Sequence, residues 1–130
     1  MILSSLISHL SYIIYIIPYQ PSYDIYEYFL CTVRGSLGLW PIYDQYDIFV
    51  SDLEGNITNR LTNEIGYDAE ATVSPKGDKI VFTSMRTGDL ELFTMNIDGS
   101  NVKQITNQLG YDGGAFFSPD GSKIIFRASR

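Results

Sequence analysis

Residues 47–86 recur as residues 91–130, displaced by 44 positions and without a gap. Phe49 falls on Phe93, Gly55 on Gly99 and Thr62-Asn63 on Thr106-Asn107. Gly66-Tyr67-Asp68 falls on Gly110-Tyr111-Asp112, Ser74-Pro75 on Ser118-Pro119, Gly77 on Gly121 and Phe82 on Phe126. About fifteen of forty positions are identical, and most others stay apolar or stay polar. A period of roughly 40–45 residues built from short strands indicates the blades of a β-propeller, not one independent globule. A blade is a scaffold unit, so activity is expected at the axis that several blades share.

Each copy predicts four strands. In the first these are Asp47 to Leu53, Arg60 to Thr62, Ala71 to Val73 and Ile80 to Ser84. In the second they are Leu90 to Ile97, Val102 to Thr106, Ala115 to Phe117 and Lys123 to Ala128. The runs are rich in Ile, Val and Phe and are bounded by turn residues. In Ser74-Pro75-Lys76-Gly77 and Ser118-Pro119-Asp120-Gly121, proline fixes φ near −65° at the second turn position. Glycine supplies the positive φ that follows, and serine bonds forward to backbone amides. Glu54-Gly55 and Asp98-Gly99 suit tight hairpin turns of the primed type. Gly66-Tyr67-Asp68 and Gly110-Tyr111-Asp112 are expected to be loops.

Ile80-Val81-Phe82 and Ile124-Ile125-Phe126 are continuous apolar runs. A sheet with one wet face should alternate. Blades stacked around an axis are packed on both faces, and the flanking turns and short runs argue against a buried helix. The stretches Ser74-Pro75-Lys76-Gly77-Asp78-Lys79-Ile80-Val81-Phe82 and Ser118-Pro119-Asp120-Gly121-Ser122-Lys123-Ile124-Ile125-Phe126 resemble the core motif of the TolB-type, WD40-like propeller repeat. Leu92 to Gly99 resembles that family's strand and turn, and Lys103 to Thr106 its following strand. The resemblance covers residues 41–130. It implies antiparallel four-stranded blades, a periplasmic or extracellular setting, and use as a protein-binding scaffold or as the non-catalytic partner of a peptidase domain.

The number of strands departs from a complete ring. One whole blade is expected over Ala71 to Thr106, flanked by two strands of a preceding and two of a following blade, whereas a propeller has four to eight blades. An open blade face would expose roughly 400 Å² of apolar surface, worth on the order of 10 kcal/mol. That is comparable with the whole stability of a small domain. A fragment, a self-associating chain or an unstable product is therefore expected, in that order.

Residues 1–40 form a separate apolar segment, expected to be irregular or partly helical. It holds no Lys or Arg before Arg34. Leu6 to Tyr19 is too short for a confident membrane-spanning helix. It lacks the positive start of a secretory signal, and Pro18 and Pro21 end any helix begun near Ser4. A degenerate signal, a remnant of a preceding blade and an unrelated leader are the three readings.

Composition removes several functions. The net charge of −6 opposes nucleic-acid binding. A single cysteine, Cys31, permits no internal disulfide and no zinc site by itself. The single histidine, His9, lies outside the repeat, so no nucleophile, base and orienting acid can be assembled. The glycines around Ser36 do not have nucleophile-elbow spacing, and no phosphate loop appears. No cofactor is expected, and cysteine usage alone fits the cytoplasm as well as the periplasm.

The best candidate site is the repeated stretch with Tyr67, Asp68 and Glu70 in one copy and Tyr111, Asp112, Gly113 and Gly114 in the other. It adjoins the strand that lines a propeller's channel, so repetition would ring one channel mouth with carboxylates and phenols. Such a ring suits a cation or the amine end of a peptide. The structural alternative has the aspartates bonding backbone amides and the tyrosines packing between blades. Three functions follow: a non-catalytic scaffold for protein or peptide, a propeller gating a serine-peptidase domain, or a truncated product without independent function.

Overall fold

The computed structural model of the chain describes residues 13–18 and 45–129. Among the described residues every regular element is a strand: β1 (Ile13–Pro18), β2 (Gln45–Ser51), β3 (Ile57–Arg60), β4 (Gly66–Val73), β5 (Lys79–Ser84), β6 (Glu91–Asn96), β7 (Lys103–Gln104), β8 (Tyr111–Phe117) and β9 (Ile124–Ser129). No helix among them is long and apolar enough to cross a membrane.

β4, β5, β6 and β7 run antiparallel in that order and make one complete blade. The β5–β6 ladder is continuous from Lys79 opposite Asn96 to Ser84 opposite Glu91. Before it, β2 pairs with β1 on one side and β3 on the other. After it, β8 and β9 pair as a separate two-stranded sheet. Two parallel pairs, Gln45 opposite Gly66 and Tyr46 opposite Tyr67, stitch β2 to β4 and so join the first blade to the second. The amide of Asp112 donating to the Leu90 carbonyl repeats that stitch between the second and third. The whole is an all-β, incomplete propeller.

The complete blade is buried on both faces, as its unalternating apolar run requires. One face sets Ile80, Phe82, Phe93 and Met95 against Ile48, with Leu61 packed alongside. The other sets Val81 and Leu92 against Ala115, with Phe117 and Ile124 packed alongside. Ile80, Val81 and Phe82 are wholly excluded from solvent. Removing that much apolar surface from water is the main force holding blade to blade.

The Ser-Pro turns form as their chemistry dictates. Gly77 donates its amide to the Ser74 carbonyl and adopts φ of 72°. The Ser74 hydroxyl accepts from the amides of Asp78 and Lys79. The glycine hairpins differ from expectation. Gly55 and Gly99 donate to the carbonyls three residues back, and of each turn only the glycine has positive φ. These are ordinary turns closed by a left-handed glycine, not primed turns, which need positive φ at a central position.

Three strand assignments also shift. Gly66-Tyr67-Asp68 and Tyr111-Asp112 belong to β4 and β8, not to loops. The outer strand of the first blade is Ile57–Arg60 rather than Arg60 to Thr62. The outer strand of the second is only Lys103–Gln104. Within the N-terminal segment, Ile13–Pro18 is a strand paired to β2 rather than helix or irregular chain. His9, Cys31 and the remainder of residues 1–44 lie outside the described residues.

Candidate functional site

β4 and β8 are the first strands of their blades, and each breaks its ladder at the same place. The β4–β5 register shifts between Ala69 and Thr72, and the β8–β9 register between Gly113 and Phe116. Glu70 sits in the first bulge with φ of 55°, and Gly114 in the second with φ of 61°. The left-handed region is costly for a side chain and free for glycine. A bulge re-aims the residue it carries. Here it turns the Glu70 carboxylate towards the next blade.

That carboxylate accepts from three donors. The Thr83 hydroxyl donates to Oε2 at 2.8 Å and the Gly114 amide at 2.8 Å. The Tyr111 hydroxyl lies 3.0 Å from Oε1 and 2.9 Å from Oε2. Arg127 lies over the Tyr111 ring, 5.2 Å from its centre, and donates to the same hydroxyl at 3.3 Å. Burial, with the negative Glu70 beside it, pushes the Tyr111 phenol up from its usual range. A Cβ added at Gly113 would lie 2.4 Å from the Tyr111 hydroxyl oxygen and 2.5 Å from Glu70 Oε2, so a larger residue there would push these two side-chain ends apart.

Asp68 and Asp112 are almost wholly buried. Arg86 donates to Asp68 Oδ2 at 2.9 Å and to the Ser84 hydroxyl at 2.8 Å. Its guanidinium also lies 5.3 Å from the Phe82 ring centre and 5.0 Å from that of Phe93. Arg86 thus pairs inside its own blade. Asp68 is buried and Arg86 half-buried, so the pair is not an open surface contact. Arg130, its repeat counterpart, lies outside the described residues. Tyr67 is half-buried, its ring 5.5 Å from that of Tyr46 across the blade junction.

The structure therefore brings Glu70, Tyr111, Gly113 and Gly114 into one inter-blade cluster. It places Asp68 in a salt bridge at the foot of the same strand. No group of three or more His, Cys, Asp or Glu arranged to hold a metal occurs among the described residues.

Sequence reasoning missed two repeated features. The first is a latch. The Thr62 hydroxyl accepts from the Ile48 amide and donates to Asp47, while Thr106 accepts from the Leu92 amide and donates to Glu91. Both carboxylates are buried. The signal was present, because threonine and an acidic residue recur at both pairs of positions. The second is a pair of exposed apolar side chains. Ile65 is 92% exposed and Leu109 is 90% exposed. They occupy equivalent positions, each just before the glycine that leads into the first strand of its blade. Beside Leu109, the Asp89 carboxylate accepts from the Gly110 amide, which holds its pKa below the usual carboxylate range.

Three stacked blades of one repeat, stitched at successive first strands, define an open propeller of the TolB class. The family profile of the TolB beta propeller domain matches residues 42–130, and the chain belongs to that family. Among solved structures it resembles a TolB-type protein from Agrobacterium tumefaciens, with 37% identity and a TM-score of 0.60 over 68% of this chain and 32% of that one. It also resembles TolB from Acinetobacter baumannii, with 31% identity and a TM-score of 0.59 over 65% of this chain and 21% of that one. The chain spans about a third of the first relative's length and a fifth of the second's. No curated protein matches it.

Proposed function

We propose that the chain is a non-catalytic propeller scaffold that grips a protein or peptide at the end where its first strands begin. The observation that carries this reading is the pair Ile65 and Leu109. A large apolar side chain left in water at one position is ordinary, but at the same position of successive blades it makes a recurring contact point. Tyr67, Asp68, Glu70, Tyr111, Asp112, Gly113 and Gly114 form the ground beneath these points. In this reading their hydrogen bonds hold neighbouring blades in fixed register, and the half-buried phenols of Tyr67 and Tyr111 offer the ligand flat contact area.

Glu64 and Asp89 beside the two apolar residues, with the net charge of −6, favour a ligand whose apolar residues are flanked by Lys or Arg. The same charge disfavours nucleic acid. The setting that goes with this reading is the periplasm or the cell exterior. A second copy of the chain, meeting the exposed blade edge, is a further partner under the same scheme.

The test is fluorescence anisotropy against a panel of short apolar–basic peptides, comparing the native chain with Ile65→Asp/Leu109→Asp. Binding should weaken at least tenfold while the thermal melt stays unchanged. Equal binding by the double variant, or no peptide bound at any concentration, contradicts the reading.

A further inference from the structure

The complete blade defines the seat that each strand takes. β5 is its second strand and β6 its third, with Phe82 opposite Phe93 and Val81 opposite Thr94. The repeat carries the third seat back to β2 and the second seat forward to β9. Beside β2, the second seat is filled from outside the repeat. β1 pairs with β2 from Ile13 opposite Ser51 to Pro18 opposite Tyr46. Tyr15 stands opposite Phe49 and Ile14 opposite Val50. Ile13-Ile14-Tyr15 thus holds the places of Ile80-Val81-Phe82, the same places that Ile124-Ile125-Phe126 holds in the third blade. Residues 19–44 separate β1 from β2, whereas residues 85–90 join β5 to β6. β1 is an imported second strand.

At the other end, β9 pairs only with β8 among the described strands. Ile125 is 66% exposed and Phe126 is 37% exposed, while Val81 and Phe82 at the same seats are 0% exposed. Among the described strands, β8 and β9 therefore have no third strand beside them, and β2 and β3 have β1 in the second seat.

We propose that β9 of one copy takes the seat beside β2 of a second copy, displacing that copy's β1. β8 and β9 with the partner copy's β2 and β3 then form a four-strand blade in the order of β4, β5, β6 and β7. The contact is head-to-tail, so it propagates unless the ring closes. Backbone pairing along an open edge supplies the attachment, and covering Ile125 and Phe126 supplies the apolar burial. β1 is the competing plug that limits the association. This inference rests on strand register and is independent of the rim formed by Ile65 and Leu109.

The test exploits the fact that Val50 has two rival partners, Ile14 of its own chain and Ile125 of another. In a Cys31→Ser background, separately tagged Val50→Cys and Ile125→Cys chains are mixed and oxidised. A mixed disulfide between the two tags is expected. By sedimentation, the mean mass of the native chain should rise with concentration, and an Ile14→Cys/Val50→Cys chain should close its internal disulfide and stay monomeric. Ile125→Cys pairing only with itself would mean that β9 meets β9, and overturns the proposal. A native chain monomeric at every concentration, a lock that fails to close, or a locked chain that still associates does the same.

Discussion

Glu70 carries a local conformational cost. A non-glycine residue at φ of 55° costs about 1 kcal/mol relative to glycine, and its repeat partner is glycine. The offset is the set of hydrogen bonds from Thr83, Tyr111 and Gly114. Glu70→Ala keeps the strain and loses the acceptor, so it should destabilise by about 2–3 kcal/mol. Glu70→Gly loses the acceptor but sheds the strain, and should be roughly 1 kcal/mol less damaging than Glu70→Ala. Urea unfolding of the three proteins decides, and equal losses would contradict the account. At the turns, the Ser118 hydroxyl and the Ser122 amide and hydroxyl hold the Asp120 carboxyl at about 2 rather than 3.8. A depressed carboxyl stabilises fully above its unfolded value and loses that contribution as pH falls through the folded one. An NMR titration should therefore place Asp120 near 2, with the Ser122 amide exchanging faster below that pH. The identity of Glu70 was visible in the sequence, but its conformation was not. The only hint was a glutamate aligned on a glycine, which is the substitution expected where one copy adopts a left-handed backbone and the other is free to.

At the scale of the strand, the latch between the third and fourth strands recurs in two blades and binds an outer strand with few contacts of its own. β7 spans only Lys103–Gln104 and is exposed. Thr106→Val takes one of Glu91's two donors, leaving the Gln108 amide, and strips the Leu92 amide of its acceptor, so it should cost about 1–3 kcal/mol. Thr106→Ser preserves both bonds and should melt close to the native temperature; a serine variant as unstable as the valine one would contradict the latch. The turns, the apolar runs and the strand order were legible because their causes are local: proline, glycine and serine chemistry, and a repeat that states it twice. The beginnings of β4 and β8 were not. Their bulges break the alternation that marks a strand, and Gly66 and Gly110 read as loop residues. The carboxylates of the candidate site were legible as residue types, but their partners were not, since Arg86 and Asp68 meet only once β4 and β5 pair. β1 was illegible for a different reason: it lies outside the repeat, and its seat is set by the strand it imitates.

For the whole molecule, burial is graded from the centre outward. β5 is enclosed by β4 and β6 within its blade and by a neighbouring blade on each face, while β9 has one neighbour among the described strands. The two strands share an Ile-x-Phe run after a lysine, so the difference expected between those runs comes chiefly from position. Local opening follows burial and contact density. Amide hydrogen exchange on dilute native protein, followed residue by residue, tests this most directly. The account predicts that Val81, Phe82 and Thr83 exchange among the slowest amides, while Ile125, Phe126 and Arg127 exchange at least a hundredfold faster. Equal protection of the two segments, or fast exchange in both, would contradict the claim that these residues are successive blades of an open propeller.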